Sequence, residues 1–345
     1  MAEGWEVGGE FHWMGLPQGP FLALPEPLSW FALGRHAVVA LLHSLPRGAR
    51  RLWVPSYFCF DVAEYWKSFT EVVTYKDDPR RAEPDWLSLR PAATDLVIAV
   101  NYFGVRSGKA WQIWRGRTHC VLVEDHSHDP VSDWALESQA DYAFASLRKT
   151  LPVPDGGILW SPRRLAMPAT GTCQNPASAL KLAAMLWKEA YLESGGDLEL
   201  KLIYRAWQQE GEKDFDRAER CSASVLSQQY LTRGVPTKWR RQRATNVRQL
   251  LSALEDVKKL RPIFSQWPSD AAPLGAVFEF ESQARRDAMR RKLQDHSVYC
   301  PIHWPPVGDC DPAASALALR LLTIPTDQRY GPGDMEKIAG FVRNP

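Results

Sequence analysis

Apolar residues along this chain alternate between two patterns. HAVVALLHSL (36–45) and FDVAEYWKSF (60–69) carry them at helical spacing and predict two helices. Short, nearly continuous apolar runs surround these helices: RLWV (51–54), EVVTY (71–75), DLVIAV (95–100), HCVLVED (119–125), ADYAFAS (140–146) and GGILW (156–160). Runs of that kind suit strands covered on both faces. Helices, or spacers long enough for them, separate the runs, so the pattern predicts an α/β domain with a mostly parallel sheet. From about residue 177 the texture turns helical, through ASALKLAAMLWKEAYL, LKLIYRAW and the long segment 238–260. A strand (274–281), a helix (282–296), the extended VYCPIHWP (298–305), a strand (321–325) and a last helix (333–342) then predict a small C-terminal α+β unit. The expected division is a large domain over 1–235 and a small one over 236–345, reached through a long connecting helix.

Composition narrows the classes of function. With 345 residues, 45% hydrophobic and 24% charged, the chain reads as globular, which excludes disorder and collagen-like repeats for most of its length. The formal charge of +2 demands no nucleic-acid partner, and the basic stretches KWRRQR and RRDAMRRK are short helix faces that solvation accounts for. The N-terminal MAEGWEVGGEFHW has no signal-peptide pattern, and no stretch approaches 18 uncharged apolar residues, so no membrane span is expected. Six cysteines without a CxxC spacing suggest free thiols in a reducing cytoplasm. Fifteen tryptophans supply large flat surfaces for a core or an interface.

Ligands of parallel sheets sit at the carboxyl ends of the strands. The polar residues just beyond the runs are therefore the candidates: Asn101, Asp125, His128, Ser146 and Lys149. A carboxylate at position 125, ending an apolar run, is costly unless it meets a cation. That cation is either a protonated pyridine ring or one of the many arginines. Lys149 is either a surface lysine or the amine that holds an aldehyde cofactor. Gly34–Arg35–His36 opens the first helix, where free N–H groups suit a phosphate that the Ser146 hydroxyl could also reach. Tyr57 and Phe58 follow a strand and could face a cofactor ring or pack in the core.

In their order, GRHAVVALL, VPSYFC, VNYFG, VLVEDHSHD, YAFASLRKTLPVPDGGIL, RATNVRQLL, PIHWP and LTIPTDQRYGPGDMEKIAGFV resemble the DegT/DnrJ/EryC1/StrS family, the sugar aminotransferases of pyridoxal-phosphate fold type I. These segments span residues 34–342. The resemblance implies a seven-stranded, mostly parallel sheet flanked by helices, with pyridoxal 5'-phosphate as cofactor. It implies that Lys149 carries the cofactor, that Asp125 faces its ring nitrogen, that His128 lies near the ring, and that Gly34 seats the phosphate. Arg35 stands where the family has a small hydroxyl residue, and Phe144 where it often has serine, so a rebuilt phosphate seat is expected. The family's GxNxR motif is missing; its place is taken by a region containing Arg220, Ser222 and Ser224. Arg106, Arg148, Arg220 and Arg329 are the candidates for binding a substrate carboxylate. The implied activity is amino transfer from a glutamate- or glutamine-like donor to a keto sugar or small keto acceptor, in a homodimer whose sites lie near the interface and are reached by residues 215–231. The alternatives are a lyase, racemase or cyclising enzyme using the same cofactor, and a non-catalytic scaffold with this fold.

Overall fold

The computed structural model describes residues 4–45, 51–171, 173, 175–216, 218–219, 221–308 and 310–343. A two-residue strand at the chain start, β1 (Val7–Gly8), precedes the seven strands of the main sheet. These are β2 (Leu28–Phe31), β3 (Arg51–Pro55), β4 (Glu71–Tyr75), β5 (Leu96–Val100), β6 (Val121–Asp125), β7 (Tyr142–Ser146) and β8 (Gly157–Trp160). Their order is β2-β8-β7-β6-β5-β3-β4, with β8 alone antiparallel to its neighbours. The sheet is thus mostly parallel, as the apolar runs predict. Leu52, Val54, Leu96, Ile98 and Val100 point to one face, where α1 (Gly34–Ser44) and Trp66 of α2 (Phe60–Lys67) cover them. Trp53, Val97, Ala99 and Leu122 point to the other, against Trp111 of α3 (Lys109–Arg115). Two buried faces explain why the period-2 alternation of a half-exposed strand is missing.

Strand β2 has no counterpart among the sequence expectations. LSWF is four residues long, follows Pro27, and gains its order only by pairing with β8. Past the sheet, α4 (Pro176–Glu193) and α5 (Leu198–Phe215) form a long hairpin, followed by the short α6 (Val225–Tyr230). The connecting helix α7 (Thr237–Ala253) stops short of residue 260, because Val257 and Leu260 turn back onto the C-terminal core. The C-terminal unit holds the antiparallel sheet β9 (Arg261–Pro262), β10 (Gly275–Glu279) and β12 (Leu321–Pro325), with α8 (Gln283–Asp295) and the final helix Pro332–Arg343. Strand β11 (Val298–Tyr299) pairs in parallel with β1, so the chain start is built into this unit and Val7 into its core. All six cysteines are unpaired. No helix among the described residues is long and apolar enough to cross a membrane.

Two glycines join the sheet to the start of α1. A Cβ on Gly157 would lie 2.2 Å from the carbonyl carbon of Leu33, and Gly156 has a φ of +125° that other residues rarely adopt. The N–H of Gly156 donates to Ala32, and its carbonyl accepts from Leu147. Replacing Gly157 by alanine forces Leu33 and Gly34 away from β8, an overpacking cost of about 1–3 kcal/mol. A lower denaturant midpoint with an unchanged far-ultraviolet spectrum is the expected result; an unchanged midpoint would refute the close approach.

Candidate active site

The carboxyl ends of the parallel strands open onto one cleft. Asp125 ends β6, Ser146 ends β7, and a single 3₁₀ turn, Leu147–Lys149, carries the lysine to the same place. Leu33 and Gly34 bring in the start of α1, the turn after β3 brings Phe58 and Cys59, and the loop after β11 brings His303 and Trp304. No side chain caps α1; the His36 N–H donates to the Leu33 carbonyl at 3.1 Å, and the N–H groups of Gly34 and Arg35 open the helix ahead of it. Gly34 admits Ser146 closely: a Cβ there would lie 3.2 Å from the Ser146 Cβ.

Lys149 reaches into the open space of the cleft with protein packed around it. That burial and the adjacent Arg148 guanidinium push its pKa below the usual lysine value, against the pull of Cys59, Glu212 and Glu10. Asp125 accepts the Ser127 N–H at 2.9 Å on Oδ1 and forms no ion pair among the described residues. Burial pushes its carboxyl up, with Ser127, His126 and Lys149 opposing. Its neighbour Glu124 is held apart from the cleft by a 3.0 Å contact with His126. His128 accepts the Phe103 N–H at 2.9 Å on Nδ1 and lies nearly parallel to the Trp304 indole, with centroids 5.8 Å apart. Burial, then His303, holds it well below the usual histidine range. His303 contacts the Thr323 hydroxyl at 2.8 Å through Nδ1, and burial with the nearby Lys149 takes it down to about 3. The cleft thus sets one carboxylate and one weakened lysine among neutral rings.

The remaining candidates go to different places. Phe58 lines the cleft and stacks on Trp66. Tyr57 lies behind it, donating its hydroxyl to the His303 carbonyl and packing on Trp304. Asn101 shapes the turn after β5, accepting the Arg106 N–H at 3.1 Å and donating to Ser132 at 3.3 Å. Arg106 is buried in a two-pronged pair with Asp77, at 2.7 and 2.9 Å. Arg329 is spent on Asp327 and on the carbonyls of residues 8–10. Arg35 lines the cleft but pairs with Asp216 at 2.5 Å. His36 is fully buried beside the Tyr65 ring with neither ring nitrogen hydrogen-bonded among the described residues, and burial lowers it to about 3. Arg148 lines the cleft and grips Glu212 with two bonds of 2.7 Å. Arg220 lies outside the described residues. In the 215–231 segment, Ser224 and Ser227 bond Asp155 of their own chain. The RxxN pattern acts as a latch: Asn246 donates to the carbonyls of Thr326, Asp327 and Tyr330, and Arg243 bonds Gln328 and the Thr150 carbonyl beside the lysine turn.

Three cleft residues had no signal of their own. Cys59 reads as an ordinary thiol in an aromatic run, Ser127 sits between two stronger candidates, and His303 lies in a loop about 150 residues beyond the lysine.

No family model matches the sequence, and no curated protein matches it. Solved structures do match. A DegT/DnrJ/EryC1/StrS aminotransferase from Brucella abortus superposes with a TM-score of 0.57 at 17% identity, covering 92% of this chain and 85% of its own. The aminotransferase TlmJ from Streptoalloteichus hindustanus gives 0.58 at 17%, with 92% and 84% covered. DesV from S. venezuelae gives 0.58 at 16%, with the same coverage. The chain has the fold of these aminotransferases over nearly its whole length.

The lowered pKa of Lys149 is open to direct measurement. Trace acylation followed by peptide mass spectrometry should show Lys149 reaching half its maximal reactivity below the ordinary lysine value of about 10.4. A midpoint for Lys149 at or above that ordinary value would contradict the electrostatics.

Proposed function

We propose that this chain is a pyridoxal-phosphate-dependent aminotransferase that takes an amino group from an amino-acid donor and gives it to a keto sugar or small keto acceptor. The observation that carries the reading is the meeting in one cleft of Lys149, an uncapped helix start and Asp125, which has no ion pair among the described residues. That set fits pyridoxal 5'-phosphate. Lys149 would hold it covalently through Nζ, Asp125 would face its ring nitrogen, and the Gly34 end of α1 with Ser146 would take its phosphate. Phe144 stands where the resembling family often has a serine, so the backbone N–H groups at the start of α1 would take a larger share of the phosphate. When bound, the cofactor supplies an electron sink through its protonated ring.

The chain's own residues do the rest. Lys149 is biased towards the neutral amine by its surroundings and Arg148, so Nζ can attack a carbonyl carbon and later accept a proton from a substrate carbon. The same bias lets it give that proton up. Asp125 carries a burial cost that a facing cation offsets, so ionising this carboxyl and binding a cationic ring favour each other. His128 and His303 stay neutral and add no competing positive charge. The Trp304 and Phe58 rings line the cleft that Nζ enters and narrow it.

Purified protein given the cofactor should show a visible absorption band, and borohydride should fix the cofactor's mass on Lys149 alone. Lys149→Ala should lose at least about 10²–10⁴-fold in turnover, the usual worth of a positioned base, while keeping weak non-covalent binding. Near-normal turnover would sink the assignment. Asp125→Asn should slow proton abstraction from the donor more than it weakens cofactor binding. Stopped-flow mixing with each amino acid separates the two effects and also tests the reaction type. A donor that yields its keto acid in equal amount supports amino transfer; an eliminated, racemised or cyclised product replaces it with the lyase class. A homodimer belongs to the same reading, and a fully active monomer in sedimentation would remove that part.

A further inference from the structure

Lys149 and Arg148 separate two cavities of unlike character. The second, of about 270 Å³, is lined by Glu10, Phe11, Val153, Pro154, Lys181, Met185 and Glu212. Its charges are layered. Lys181 is nearly buried, with 3% of its side chain exposed, and Arg148 is at 18%; Glu10 and Glu212 form the rim at 45% and 48%. Lys181 contacts Glu10 at 2.6 Å and Glu212 at 3.1 Å. The lysine's position is built into the fold. Its stem crosses α5 at Gly211, where a Cβ would come within 2.8 Å of the Lys181 Cδ. A glycine inside a helix costs about 0.5–1 kcal/mol against alanine, and here it makes room for that stem. The Glu10 backbone is pinned, its carbonyl accepting from Lys188 at 2.8 Å and from Arg329 at 3.1 Å, while its carboxylate remains at the rim.

We propose that this cavity binds the carboxylate of a small substrate, which takes the place of the Glu10 carboxylate on Lys181 beside Lys149. The exchange replaces one carboxylate by another, so the buried ammonium keeps a partner throughout. The leaving carboxylate is already half in water and turns outward at little cost. A cationic ligand would instead add a positive charge beside Lys181 and Arg148, with only the Glu10 and Glu212 carboxylates to offset all three. The inference rests on the proposed function, since it makes this cavity the seat of the amino donor's carboxylate.

Succinate is the probe, titrated into cofactor-loaded protein and followed by calorimetry and by the bound cofactor's spectrum. Saturable binding is expected. Lys181→Met should weaken it about 10–100-fold, the worth of one charge-assisted hydrogen bond, and Lys181→Arg should restore most of it. Glu10→Gln should tighten succinate binding severalfold, because the competing carboxylate is gone. A purely structural bridge predicts the opposite, lower thermal stability with unchanged or weaker binding, and that result would overturn the proposal. So would non-saturating succinate, or a Lys181→Met protein that is folded by circular dichroism and binds as the parent does. Inorganic phosphate that outcompetes succinate and displaces the cofactor would reassign the cavity to the cofactor's own phosphate. If no cofactor loads and borohydride leaves Lys149 unlabelled, the proposed function fails instead, and succinate calorimetry on the unloaded protein still decides the carboxylate site.

Discussion

The site depends on the contact between Gly157 and the Leu33–Gly34 peptide. Strand β8 can lie against that peptide only because position 157 has no side chain. The contact brings the start of α1 to the carboxyl end of β7, where Ser146 and the lysine turn begin. The same turn is held from the other side, because Arg243 and Gln328 both donate to the Thr150 carbonyl. The main sheet, the connecting helix and the loop before the last helix therefore converge within a residue of Lys149. A change in any of these contacts moves the amine relative to Asp125, which the sheet register fixes opposite Val100 and Phe144.

The distribution of charge follows from what each cation can reach. Arg106, Arg329 and Arg35 each find a carboxylate in the fold, and removing one partner of a buried pair such as Arg106–Asp77 costs about 3–5 kcal/mol. Arg148 also has a partner in Glu212, but it keeps its place beside the amine. Lys149 consequently stands between a cleft of neutral rings with one carboxylate and a second cavity of layered ion pairs. An amine in that position has its proton affinity set by the surroundings on both sides, and the two cavities offer room for two different chemical groups to meet at one nitrogen.

The sequence alone determined the parallel strands, the helices around them and the residues at the strand ends. Continuous apolar runs and helical spacing are local properties, and a strand buried on both faces has no other way to be written. Asp125, His128, Ser146 and Lys149 were legible for the same reason, since the end of an apolar run is where a parallel sheet exposes its polar residues. Tertiary structure decided everything that depends on partners distant along the chain. It turned Asn101 and Tyr57 into supports, committed Arg106 and Arg329 to ion pairs, and buried His36 against Tyr65. It brought His303 to the lysine and Lys181 to Glu10 across gaps of more than 150 residues. A charged or aromatic side chain looks the same in sequence whether it meets a partner or a ligand. Only the folded chain, by bringing a carboxylate, a carbonyl or a ring within reach of each one, settles which groups are taken and which remain to act.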